Sequence, residues 1–298
     1  MNYRFTYDKE FKENNIFMLS DDEIKIVIAT LCGEHNALFF GYKPERLVNV
    51  IKKLTEVVSI DDCTPMADLL GVGGKESILK TSDKKVLHLK NINYFSRDSM
   101  ELIGKAVQDK ALDVYCELPG DASQLDRFSA NIIPTPLNTE RVYIQSNFQL
   151  IASTDDCIFR MGWLPRGYLS ECFDVVFKCK APDKDFRFKT PLSRLKEWLR
   201  LSKKYCKQFG RSTPNNKIKD LDDVIITSNA RSYYRDIVQS DGVEKATRVL
   251  RVARSLADFE NHVLVRVGDM ARSYQNLSFN YSDSYESSDS YGFSDNTY

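Results

Sequence analysis

Ala37-Leu38-Phe39-Phe40-Gly41-Tyr42-Lys43-Pro44-Glu45-Arg46-Leu47-Val48 is the stretch on which the fold turns. Four apolar residues in a row, closed by a glycine, fit a strand buried on both faces, as strands of parallel sheets are. From Glu45 onward the period changes. Leu47, Val50, Ile51 and Leu54 recur at helical spacing, so the sequence predicts a helix over Glu45 to Val58. Strand, glycine turn and helix in succession are the first half of a parallel crossover unit.

The same grammar repeats downstream. Val86–Leu89, Phe148–Ala152 and Val175–Phe177 are short apolar runs flanked by turn residues, and Ser96 to Val107 has helical spacing. Alternating strands and helices predict a three-layer α/β domain with a central, largely parallel sheet over residues 1–182. Cys116 to Tyr143 breaks the pattern with Pro119-Gly120 and Pro134-Thr135-Pro136 and is read as an inserted hairpin over about 116–147. Past a joint at Pro182–Pro191 the pattern turns helical. Leu192, Leu195, Leu199 and Tyr205 space one helix; Asp220–Asn229 and Ala230–Ser240 predict two more. The strongest pattern is Glu244–Asn261, where Val249, Val252, Ala253, Leu256 and Phe259 share a face. Residues 183–275 are thus expected to form a small helical lid. Residues 276–298, rich in Ser, Tyr and Asp without Lys or Arg, read as a disordered acidic tail.

Composition excludes little but bounds the class. Lys plus Arg and Asp plus Glu both number 42 in 298 residues, so no net charge pulls the chain toward nucleic acid or membrane. No apolar run reaches the roughly 18–20 residues of a membrane span. The polar start, Met1–Asn15, lacks a secretory signal pattern. The seven scattered cysteines form no CxxC pair, which fits reduced thiols and a cytoplasmic location.

A strand, a glycine and a helix is also where a phosphate-binding loop sits. Such a loop reads GxxxxGK[ST]: glycines let backbone N–H groups wrap the phosphates, the lysine supplies charge and the hydroxyl meets magnesium. Here only Gly41 remains. Arg46 holds the place of the second glycine, Leu47 that of the lysine and Val48 that of the hydroxyl. A metal-holding strand should end in an acid, but Val86–Leu89 is followed by Lys90 and Asn91.

Several segments resemble, in order, the AAA+ module of magnesium-chelatase I subunits and ComM-like proteins. Gly33–Leu38 resembles the entry to the P-loop, Ala67–Gly74 a glycine-rich DAALVGGG segment, Val86–Phe95 the VLFLDELPEF strand and Gln149–Ser153 the sensor-1 strand. Gln208-Phe209-Gly210 and Asn215-Asn216 are similar to lid motifs, and Arg248–Asp258 (RVLRVARSLAD) to RILRVARTIADL. The resemblance spans about Asp21 to Tyr274 and implies a P-loop-type AAA+ domain with a lid. It also implies where the chemistry has gone. Asp155 stands at the sensor-1 asparagine, Cys172 at the arginine finger and Glu244 at the sensor-2 arginine. The vestigial pocket is therefore Gly41, Arg46, Leu47, Val48, Lys90, Asn91, Asp155, Cys172 and Glu244, with no catalytic residue. Functions carried by the protease-like domain of ComM-like proteins are not implied.

Other candidates complete the reading. Phe186–Lys219 is basic, and Arg200, Lys203, Lys204 and Lys207, with Arg248 and Arg251, form either a solvated face, a subunit contact or a nucleic-acid contact. His35, His88 and His262 have no acid or cysteine in ligand spacing, so no metal is expected. The aspartate pair of Ser153-Thr154-Asp155-Asp156, at a strand end, reads as a turn or helix cap. The expected function is that of an inactive AAA+ pseudo-ATPase, an assembly or regulatory subunit with an AAA+-type homo- or hetero-oligomeric partner and no cofactor. The alternatives are a subunit with residual ATP and magnesium binding and ATP-dependent DNA processing, and a non-enzymatic nucleic-acid-binding module.

Overall fold

The structure, a computed structural model, describes residues 16–117, 139–155, 172–181, 188–208 and 214–277. Its strands are β1 (Ile16–Leu19), β2 (Ala37–Gly41), β3 (Val57–Ile60), β4 (Val86–Lys90), β5 (Ala111–Glu117), β6 (Thr139–Gln145), β7 (Gln149–Thr154), β8 (Val175–Cys179) and β9 (Phe188–Pro191). Its helices are α1 (Asp21–Gly33), α2 (Glu45–Leu54), α3 (Met66–Leu70), α4 (Ile78–Thr81), α5 (Arg97–Asp109), α6 (Leu192–Gln208), α7 (Ser228–Asp241), α8 (Val243–Phe259) and α9 (Val267–Leu277).

Five strands form one parallel sheet in the order β3-β4-β7-β2-β8. Side-chain alternation along each strand shows that both faces are buried. Leu38, Phe40, Leu87, Leu89, Leu150 and Ala152 enter one core with α3, α4, α5 and the β5–β6 pair. Ala37, Phe39, Val86, Ile151 and Val175 enter the other with α1, α2, Leu195 of α6, and Val252 and Leu256 of α8. The three-layer α/β expectation is thereby met.

The C-terminal helices α7, α8 and α9 have a core of their own, around Ala230, Tyr234, Ile237, Val249, Leu250, Ala253, Val265 and Met270. Helix α8 belongs to both cores, because it is apolar on two faces. Docking it against α1 is sterically exacting: a Cβ on Gly33 would come within 2.2 Å of His35 Nε2 and 2.4 Å of Ser255 Oγ.

Four expectations need correction. The helix from Glu45 stops at Leu54, where Thr55 turns extended, and Val57–Ile60 is the edge strand β3. The hairpin begins earlier than residue 116, since β5 pairs with β6 from Ala111↔Gln145 to Glu117↔Thr139; residues 118–138 lie outside the described residues. Asp220–Asn229 is no helix: a 3-10 turn at Leu221–Asp223 precedes α7, which starts at Ser228 behind the Thr227 cap. A further helix, α9, extends to Leu277, past the expected start of the tail; residues 278–298 lie outside the described residues. The joint before the lid also holds β9, which pairs antiparallel with β1.

Candidate functional site

The carboxyl ends of β2, β7 and β4 lie side by side, with Phe40 opposite Thr154 and Lys90 opposite Ser153. Gly41, Arg46, Leu47, Val48, Lys90, Asn91 and Asp155 are all set by these strand ends or by α2, which starts behind β2. Gly41 has a local reason to be glycine. Its φ is +96°, and a Cβ would lie 2.8 Å from the Cys179 carbonyl oxygen of β8. The next residue, Tyr42, donates its N–H to that same oxygen at 2.9 Å.

The loop is too tight to wrap a phosphate. Only Tyr42, Lys43 and Pro44 separate Gly41 from the first helical residue. Pro44 has no N–H to offer. The N–H of Arg46 goes to Lys43 O (3.2 Å), and those of Leu47 and Val48 go to Pro44 O (2.9 and 3.4 Å). The side chains turn away too: Leu47 and Val48 are fully buried in the α1–α2 core.

Arg46 forms a two-pronged ion pair with Glu23, whose carboxylate also accepts the Ser20 N–H in the cap of α1. The guanidinium is therefore spent on holding α2 to the start of α1, and it is not a free anion anchor.

At the same strand ends the protein supplies its own carboxylate to the first turn of α2. Glu45 accepts from Ser153 Oγ and lies 3.4 Å from His88 Nε2. His88, fully buried on β4, also bonds Ser153 Oγ at 2.8 Å through Nε2 and Ser59 Oγ at 3.3 Å through Nδ1. Burial pushes the Glu45 carboxyl up, but the bond and charge of His88 and the bond from Ser153 outweigh it and leave it below the usual carboxylate range. A negative group at a helix N-terminus is favoured by the helix dipole. Lys90 and Asp155 are exposed at the ends of their strands. Asn91 sits in the left-handed region (φ 55°) and starts a 3-10 turn over Ile92–Tyr94.

Cys172 and Glu244 are not part of this constellation. They line a cavity of about 460 Å³ at the opposite, amino end of the sheet, with Asn36, Asp174, Lys110, Lys217, Arg248 and Arg251. Cys172 is buried, its carbonyl accepting from Asn36 Nδ2 at 3.0 Å. A second cavity of about 270 Å³ shares Asn36, Val107, Lys110 and Asn216 with the first and adds Lys84, Lys85, Lys203 and Glu34. Seven cationic side chains thus line these two adjacent cavities, against Glu34, Asp174 and Glu244. Two of the seven are partly compensated, Arg251 by Asp174 at 3.9 Å and Lys85 by Glu56 at 3.4 Å.

The sequence placed Lys203, Arg248 and Arg251 in one candidate set, and the fold brings them to adjacent cavities, Lys203 to the smaller and the two arginines to the larger. Arg200, Lys204 and Lys207 are exposed on α6 but do not line these cavities. Lys217 lay within the basic stretch Phe186–Lys219, whereas Lys84, Lys85 and Lys110 were missed, because isolated lysines far apart in the chain give no sequence signal.

The RVLRVARSLAD segment has a structural task. Arg254 forms a buried ion pair with Asp258, with Nη2 to Oδ1 at 2.9 Å, and Asp258 Oδ2 accepts from Asn215 Nδ2 at 2.8 Å and from the Cys206 thiol at 3.0 Å. Ser255 Oγ bonds His35 Nε2 at 2.7 Å and Asn215 Nδ2 at 2.9 Å. His35 and His88 are therefore buried hydrogen-bonding residues, as the sequence suggested. His262 differs: Glu260 and Asp269 flank it, an arrangement hidden in the sequence by a six-residue gap. Among the described residues no helix is long and apolar enough to cross a membrane. No protein-family model and no curated protein matches this chain.

Proposed function

We propose that this chain is a degenerate AAA+-type module, a pseudo-ATPase that acts as an assembly or regulatory subunit beside an active AAA+ partner. One observation carries the reading: the P-loop equivalent is filled by the protein itself. Leu47 and Val48 are in the core, Arg46 is paired with Glu23, and the Glu45 carboxylate, in the first turn of α2, is held by Ser153 and His88. The juxtaposition of Gly41, Lys90 and Ser153 at three neighbouring strand ends supports the AAA+-type framework, since an ATPase needs loop, metal acid and sensor around one phosphate.

Thermal unfolding in millimolar ATP or ADP with magnesium tests the reading, with light scattering to size the particle. The expected result is a Tm unchanged within about 1 °C by either nucleotide. A saturable, magnesium-dependent rise of several degrees would show a working nucleotide site. A strict monomer that captures no AAA+ protein would remove the assembly role.

A second reading rests on the basic groove at the amino end of the sheet, which fits a phosphodiester backbone. If four phosphates are engaged, affinity for a labelled DNA should fall about 100-fold between 50 and 200 mM salt. Exchanging Lys110, Lys203 and Arg248 for glutamine together should flatten that dependence. Salt-insensitive binding, or binding that survives the triple exchange, would discard it.

A further inference from the structure

The turn between α8 and α9 gathers donor atoms for a cation. Glu260 caps α8, Asn261 reverses the chain in the left-handed region (φ 57°), and the His262 N–H closes the turn on Ala257 O at 2.8 Å. Asp269, in the first turn of α9, is then held beside them by the Arg266 N–H, which donates to Oδ2 at 2.8 Å. One donor atom from each of Glu260, His262 and Asp269 lies within 4.8 Å of the others.

The imidazole supplies the second, independent observation. His262 Nδ1 is buried and has no hydrogen-bond partner among the described residues. It faces Glu260 Oε2 at 3.6 Å and Asp269 Oδ2 at 3.9 Å. An N–H aimed at either carboxylate would close to about 2.9 Å. Three ligands around one zinc-sized ion, each about 2.0–2.2 Å from it, stand roughly 3.3–3.5 Å apart. The two imidazole-to-carboxylate spacings, 3.6 and 3.9 Å, are nearer to the ion-centred value than to a direct hydrogen bond.

The carboxylate of Glu260 is also aimed from behind. Its other oxygen, Oε1, accepts from Arg272 at 2.9 Å and meets Lys25 of α1 at 3.1 Å, leaving Oε2 toward the imidazole. Such outer contacts orient metal ligands.

We propose that Glu260, His262 and Asp269 form a three-ligand site for a first-row divalent metal of the zinc class, with a fourth position open to water. One nitrogen and two carboxylate oxygens suit Zn²⁺ or Co²⁺ better than Mg²⁺, which prefers all-oxygen octahedral shells. The half-exposed rim formed by His262 and Glu260 gives the ion a way in. The ion clamps α9 to the end of α8 and, through Lys25, to α1. The site is independent of the nucleotide reading.

The test uses the full chain, stripped with a chelator and titrated with Zn²⁺, with Mg²⁺ as the control. One equivalent should bind, and Tm should rise by about 5 °C when free zinc is 100-fold above Kd. Cobalt should give a visible d–d spectrum without the near-ultraviolet thiolate band that binding at a cysteine would produce. His262→Gln and Asp269→Asn should each weaken zinc binding at least 100-fold, and Asn at 269 keeps an oxygen for the Arg266 N–H. Absence of saturable zinc binding by the parent chain overturns the site. So do a thiolate-type cobalt spectrum and affinity unchanged in the variant that folds. A crystal structure grown with zinc that shows only a water between the three residues overturns it as well.

Discussion

Leu47→Lys, which puts a lysine where the proposed AAA+ reading places the P-loop lysine, is expected to destabilise the protein by about 3–5 kcal/mol and to leave it unable to bind ATP. Leu47 is completely buried between α1, α2 and the sheet. A lysine there loses the apolar packing and must also enter the core neutral or charged, and either form is costly. A domain of this size moves about 2–4 °C per kcal/mol, so Tm should drop by about 10 °C. Val48→Thr alone should cost less, since it keeps the shape and buries one hydroxyl. Calorimetry of both variants with and without Mg–ATP checks this. A Leu47→Lys protein that melts like the parent and gains a nucleotide-dependent shift would mean that α2 turns its other face to the site.

Asp258→Ala should be comparably damaging, for an electrostatic reason. Asp258 is completely buried and Arg254 nearly so, and their pairing is doubled through Nε at 3.1 Å and Nη2 at 2.9 Å. Removing the carboxylate strands a buried guanidinium, a loss of about 3–5 kcal/mol. It also takes one of two acceptors from Asn215 Nδ2, which reaches Asp258 and Ser255 from the segment after α6. A guanidinium that keeps the Val263 carbonyl at 2.8 Å is not rescued, because a neutral acceptor does not balance its charge. The double variant Arg254→Met/Asp258→Leu should be closer to the parent than either single change, since nothing charged remains unpaired. Denaturant unfolding of the three variants decides it. A loss under about 1 kcal/mol for Asp258→Ala would show that water or a rearranged partner takes the carboxylate's place.

These two residues also mark how far the sequence could be read. Leu47 was legible as a core position because it follows a strand, a glycine and a helix start at helical spacing. Its burial follows from the same helical period. Arg46 in the same heptad was not legible. By type it resembles an anion anchor, yet Glu23, more than twenty residues away, claims it once Ser20 caps α1 and fixes the carboxylate beside α2. Lys203 and Arg248 were grouped by charge alone, and the fold joined them with Lys84, Lys85, Lys110 and Lys217. It also sent Cys172 and Glu244 to that end of the sheet rather than to Gly41.

The element errors have a similar origin. Val57 and Val58 continue the apolar phase of α2, so no period change announced β3; the break is a backbone one, at Thr55. Strands β1 and β9 have four residues each and find one another across the whole α/β domain, and no local pattern encodes such a pair.

The sequence by itself determined four strands of the parallel sheet, the α2 and α5 helices and the α8 stripe, because continuous apolar runs and a 3.6-residue period are properties of neighbours along the chain. Tertiary structure alone decided which charges are used up and which are left to act. Arg46 is neutralised by a distant glutamate, Arg254 by an aspartate locked in place by Asn215, and His262 stands between two carboxylates that meet only when α8 and α9 turn back on each other. Pairing energy depends on distance and burial, and both are set by contacts between segments far apart in sequence.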